Sequence, residues 1–123
     1  MAKKESFFIN RVKSVGYAFK GAYLLLTTEA SIQVQFSIGI LVTIAGFYFN
    51  ISTTEWIIQT LVIAIIMALE GVNTAIEEIA DFIHPEQHPK IGLIKDLAAG
   101  AVFIFAVAAA CVGCIIYLPK LLA

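Results

Sequence analysis

Hydrophobic and polar positions along this chain fall into four blocks, and each predicts a helix. In residues 6–28, Phe8, Val12, Val15, Phe19, Ala22, Tyr23 and Leu26 recur at helical spacing and form one apolar stripe. Arg11, Lys13, Ser14, Tyr17 and Lys20 fall largely off that stripe. A basic face opposite an aromatic-rich face suits a helix lying in the membrane interface, and an amphipathic helix packed on protein has the same pattern. The blocks that follow favour the membrane. Residues 30–49 predict a first span: Phe36 to Phe49 is apolar apart from Ser37 and Thr43, and Ile32 and Val34 extend it to the roughly 20 residues a span needs. Asn50 to Thr54 reads as a turn, with Thr53 or Thr54 as the cap of the next helix. The second span, 54–81, begins with Trp56 where an interfacial aromatic belongs, and its helical pattern runs on past Leu69 to Asp81. Pro85 and Pro89 then predict that His84 to Lys90 breaks the helix, as the polar part of a loop over 82–96, because proline cannot continue a helix and also restricts the residue before it. The third span, 96–118, holds Leu97 to Leu118 without a charge, is rich in Ala and Gly, and is ended by Pro119. Small residues let membrane helices approach closely. The expected class is an all-α membrane protein: one surface helix and three spans in a single domain.

Composition supports this picture. The chain is 60% hydrophobic and 14% charged, against about 45–50% and about 25% for soluble domains. Mean hydropathy is +0.91. A net charge of −1, with eight Lys and Arg scattered along the chain, excludes the basic face that nucleic acid requires. Cys111 and Cys114 lie inside the last apolar block and read as small packing residues rather than a disulfide or redox pair. No signal peptide is expected, since the stretch after Lys3 and Lys4 is amphipathic. With three spans, Lys3, Lys4, Arg11, Lys13, Lys20, Lys90 and Lys95 share one side and Lys120 takes the other. That bias puts the N-terminus and the 82–96 loop in the cytoplasm.

Charge inside an apolar helix is where chemistry is sought. Glu70, Asn73, Glu77 and Asp81 are spaced three, four and four apart, which places them on one helix face over about 16 Å of axis. Glu70 follows directly on the apolar run, and a carboxylate at a span's centre costs about 2.5 kcal/mol or more. Such residues face a bundle interior or a wet cavity and mark functional sites. For Glu78 and Asp81, a solvated helix end explains the charge equally well. Carboxylates on one face with a nearby lysine suit divalent cation and phosphate chemistry, because Mg²⁺ takes one or two carboxylates plus substrate phosphates. Lys95 and Asp96 open the third span, and lysine binds phosphate as a point charge. Glu29, between the surface helix and the first span, is a further carboxylate that a turn or cap also explains. No glycine-rich phosphate loop is present, so metal and lysine would have to carry any nucleotide phosphates. His84 and His88 have a zinc-compatible spacing on a helix, but the prolines argue against a helix there.

These residues carry a resemblance. Glu70-Gly71-Val72-Asn73-Thr74-Ala75-Ile76-Glu77, then Asp81, His88-Pro89 and Lys95-Asp96-Leu97-Ala98-Ala99-Gly100-Ala101-Val102, is similar to the signature of the small prokaryotic diacylglycerol kinase family, which includes undecaprenol kinases. Gly16 to Gly21 and Glu29-Ala30 fit its N-terminal pattern. The resemblance implies a homotrimer in the bacterial inner membrane, with active sites shared between subunits and facing the cytoplasm. It implies transfer of the γ-phosphoryl group of MgATP to a lipid hydroxyl, turning diacylglycerol into phosphatidic acid. Undecaprenol is the alternative acceptor, and His88-Pro89 with Ala98 to Val102 looks more like that branch. By the same resemblance Glu70 is the base that activates the lipid hydroxyl, with Ala99 also at the lipid. Glu29 and Glu77 would hold Mg²⁺, and Tyr17, Asn73, Glu86, Gln87, His88, Lys95 and Asp96 would complete the ATP site. The chain departs from the family pattern at Asn10, where an arginine is expected, and at Gln33 and Gln35. Away from the resemblance, an intramembrane glutamate also suits a small ion transporter, and the Ala/Gly-rich third span suits a non-catalytic assembly subunit.

Overall fold

The computed structural model describes residues 6–123, so Lys3 and Lys4 and their part in the charge bias lie outside the described residues. Four helices follow in order: α1 (Phe7–Thr28), α2 (Ala30–Phe49), α3 (Thr53–Ile83) and α4 (Pro89–Leu121). The Ser6 hydroxyl accepts from the Ile9 amide at 3.2 Å and starts α1. The helix ends where Thr27 and Thr28 turn their hydroxyls back to the carbonyls of Tyr23 and Leu24, at 2.8 and 2.6 Å. Glu29 is then extended (φ −100°, ψ 113°), and α2 begins on the next residue.

The joint between α2 and α3 is tighter than the sequence suggests. Asn50 takes a left-handed conformation at φ 52°, which asparagine tolerates better than most residues. Ser52 caps α3, in place of the expected Thr53 or Thr54: its hydroxyl accepts from the Glu55 amide at 3.1 Å while the Glu55 carboxylate accepts from the Ser52 amide at 2.9 Å. Helix α3 therefore starts at Thr53 and continues to Ile83, two residues past the predicted end.

The polar loop is much shorter than 82–96. Pro89 occupies the first turn of α4, where its missing N–H is no loss and its fixed φ is already helical. The His88 Nδ1 accepts from the Lys90 amide at 3.1 Å and caps the helix. Pro119 does not end α4, which continues to Leu121. Lys120 holds that last turn by donating to the Ile116 carbonyl at 2.9 Å and to Glu55 Oε2 at 2.9 Å.

Helices α2, α3 and α4 are long and apolar enough to cross a membrane, with mean hydropathies of 1.7, 1.8 and 2.7 over their most apolar stretches. Helix α3 packs against both α2 and α4. The α2–α3 contact depends on Gly46, because a Cβ there would lie 2.7 Å from Trp56 Cη2. A polar knot joins all three helices at the end where α3 begins. The Tyr117 hydroxyl donates to Gln59 Oε1 at 2.5 Å and lies 3.0 Å from the Val42 carbonyl, which Gln59 Nε2 also approaches at 3.4 Å. Tyr117 is thus bonded inside the bundle. Most large apolar side chains elsewhere point outward, as they do in helices that face lipid or further protein.

Candidate functional site

The face predicted on α3 forms at the end opposite the polar knot. Asn73 is only 6% exposed and sits between two half-buried carboxylates. Its Nδ2 donates to Glu77 Oε1 at 3.2 Å and to Glu70 Oε1 at 3.4 Å. The spacing of three and four residues makes this bridge possible, and it sets an amide donor between two carboxyl acceptors. Each carboxylate keeps its second oxygen outside the bridge. Asn73 Oδ1 is buried and meets no hydrogen-bond partner among the described residues. Helix α1 reaches α3 beside Glu70: a Cβ on Gly71 would lie 2.9 Å from Leu25 Cδ1. Glu29 follows four residues after Leu25, half-buried at the α1–α2 joint, and its side chain caps nothing.

Four residues beyond Glu77, Asp81 Oδ1 accepts from Lys95 Nζ at 2.5 Å. This bond crosses from the end of α3 to the start of α4. Lys95 also lies in the field of Glu77. Asp81 and Lys95 help line a cavity of about 540 Å³, together with His84, Glu86, Gln87, His88, the two prolines, Ile91 and Gly92. The cavity wall is ordered by short local bonds. His84 Nδ1 lies 2.8 Å from the Glu86 carbonyl, and the two histidine rings meet edge to face with centroids 5.3 Å apart.

The structure therefore brings Glu70, Asn73 and Glu77 together on α3, and gathers Glu86, Gln87, His88 and Lys95 around a neighbouring cavity. Tyr17 stands 72% exposed on α1, and Asp96 and Ala99 are exposed on α4. Asp81 is the member of this region that sequence reasoning left without a partner. Its link to Lys95 spans 14 residues and a loop, so no helical spacing reports it.

Among the described residues, no three acidic, His or Cys side chains converge into a complete metal cage. The donor set nonetheless fits Mg²⁺, which prefers oxygen, keeps several waters and uses one or two carboxylates with substrate phosphates. Glu77 has one oxygen outside the Asn73 bridge, and Asn73 itself offers a buried amide oxygen without a partner among the described residues.

A bundle of helices long and apolar enough to span a membrane, with a carboxylate face next to a lysine-bearing polar cavity, is the architecture of a membrane protein. Comparison with known proteins gives the family. The family model described as prokaryotic diacylglycerol kinase matches residues 16–117. The undecaprenol kinase of Bacillus subtilis is 40% identical over 109 residues, covering 89% of each chain. The diacylglycerol kinase of Synechocystis is 31% identical over 92% of this chain and 65% of its own. That of Escherichia coli is 26% identical over 94% of this chain and 95% of its own. The chain belongs to the prokaryotic diacylglycerol kinase family, and with it to the lipid kinases.

Proposed function

We propose that the protein transfers the γ-phosphoryl group of MgATP to the hydroxyl of a membrane lipid alcohol. The observation that carries this reading is the buried Asn73 bridging Glu70 and Glu77 beside the Lys95 cavity. Phosphoryl transfer needs positioning and charge neutralisation more than covalent chemistry from the protein. Glu70, at the apolar end of the face, accepts the proton of the lipid hydroxyl as that oxygen attacks. Ala99 lies at the lipid. Glu77 and Glu29 would hold the cation, which would neutralise charge on the phosphates when bound. Lys95 neutralises the phosphates as well, and Asn73 keeps the two α3 carboxylates apart. Tyr17, Glu86, Gln87, His88 and Asp96 complete the nucleotide site. The site faces the cytoplasm, where ATP is, across the inner membrane of a bacterium. The outward-facing apolar surfaces of α2 to α4 suit a homotrimer with shared sites.

Two acceptors are in play. Diacylglycerol, giving phosphatidic acid, is the one the family description suggests first. Undecaprenol is favoured by the higher identity to the Bacillus subtilis undecaprenol kinase, 40% against 31% and 26% for the two diacylglycerol kinases. The test is a side-by-side assay with purified protein, labelled ATP and Mg²⁺, offering diacylglycerol and undecaprenol in mixed micelles. Label should enter at least one lipid, and Glu70→Gln should abolish turnover while leaving ATP binding in place. No label in either lipid, or full activity of Glu70→Gln, refutes the reading.

A further inference from the structure

Asp81 has no task in the scheme above, yet it is tied to the one lysine that does. Its Oδ1 meets Lys95 Nζ at 2.5 Å, with the Asp81 and Lys95 side chains 56% and 37% exposed. An isolated ion pair this exposed adds little to stability, so holding the fold together does not account for it. Its location suggests a different role. Lys95 sits in the second turn of α4, just after a loop of five residues, 84–88. Its ammonium rides on a flexible four-carbon stem that, left alone, samples many directions. Asp81 draws that ammonium onto the α3 side, one turn from Glu77, at the wall of the loop cavity. An ammonium has three N–H donors, and the bond to Asp81 engages one of them. The others remain for a phosphate.

We propose that Asp81 is a positioning residue, holding the Lys95 ammonium between the α3 carboxylate face and the loop cavity so that it meets the nucleotide phosphates on arrival. This rests on the lipid kinase reading, in which Lys95 is a phosphate ligand. Asp81 itself touches no reacting atom. Its loss therefore acts on nucleotide affinity, and the chemical step proceeds as before once the nucleotide is bound.

The test uses the full-length protein in micelles, with lipid phosphorylation followed against MgATP concentration. Asp81→Asn should raise the KM for MgATP about tenfold, the lower end for a group that only orients a ligand-binding side chain, with kcat held within about twofold. Asp81→Glu should restore most of the affinity, because it returns the charge. In a Lys95→Met background, Asp81→Asn should change nothing further, since the lysine it orients is gone. Asp81→Ser gives the same KM rise and serves if the asparagine variant folds poorly. An unchanged KM in an active Asp81→Asn protein overturns the proposal. A lowered KM also overturns it, since Asp81 would then be competing with phosphate for the lysine. Equilibrium binding of trinitrophenyl-ATP with Mg²⁺ separates this result from the kinase reading. If the wild type labels no lipid but binds this probe, and Asp81→Asn weakens binding about tenfold, positioning stands while the kinase reading fails.

Discussion

Replacing Asn73 by Asp changes two atoms' chemistry and almost nothing of shape, which makes it the sharpest probe of the α3 face. Asn73 Nδ2 donates to Glu77 Oε1 at 3.2 Å and to Glu70 Oε1 at 3.4 Å. A hydrogen bond to an ionised group contributes about 1.5–3 kcal/mol, and these two are long, so about 1.5 kcal/mol each is the fitting value. Losing both removes about 3 kcal/mol of organisation from the site, or roughly 100-fold in rate if all of it is expressed at the transition state. The substitution also puts a third carboxylate within hydrogen-bonding distance of the other two. At an effective dielectric of about 20, one such pair repels by about 5 kcal/mol. The variant should consequently melt below wild type. The assay is kcat/KM for MgATP together with thermal unfolding in detergent. A variant that keeps more than a third of wild-type kcat/KM, with an unchanged melting temperature, would refute the bridge.

Two further predictions concern the opposite end of the bundle. Gly46→Ala places a methyl 2.7 and 2.9 Å from Trp56 ring atoms and 3.1 Å from Ile51 Cδ1, and the rigid indole cannot yield as a flexible side chain would. Overpacking of this kind costs about 1–3 kcal/mol, to be read as a lowered melting temperature in detergent; an unchanged melting curve contradicts the close approach. Tyr117→Phe strips the hydroxyl from Gln59, which is 4% exposed, and from the Val42 carbonyl. A loss of about 1 kcal/mol in stability is expected, within the range for interhelical bonds in membranes, with the KM for MgATP unmoved; a shifted KM would tie the knot to the site.

How much of this could be read beforehand follows from the range of each signal. The α3 face was legible because three- and four-residue spacings are local, and a carboxylate after fourteen mostly apolar residues is conspicuous. The four helices were legible from hydrophobic runs for the same reason. The loop was overestimated because proline has opposite meanings at different helix positions: Pro89 starts α4, and only the capping geometry of His88 reveals it. The Asp81–Lys95 pair and the Tyr117–Gln59–Val42 knot join residues 14, 58 and 75 positions apart, so no periodicity carries them. Gln59 did leave a trace, since an amide within an apolar span needs a partner. Glu55 closes a capping box with Ser52 and binds Lys120, 65 positions away.

The chain contains one tryptophan. Trp56 packs tilted against Phe47, ring centroids 4.8 Å apart, is pressed over Gly46, and lies 14 residues before Glu70 on the same helix. At 1.5 Å per residue that is about 21 Å along the axis. Its emission is therefore a built-in optical gauge of whether the far end of the bundle is intact, blind to what happens at the carboxylates. A variant that has lost activity but keeps the wild-type spectrum has been damaged in its chemistry, and one whose spectrum shifts to the red has lost its architecture.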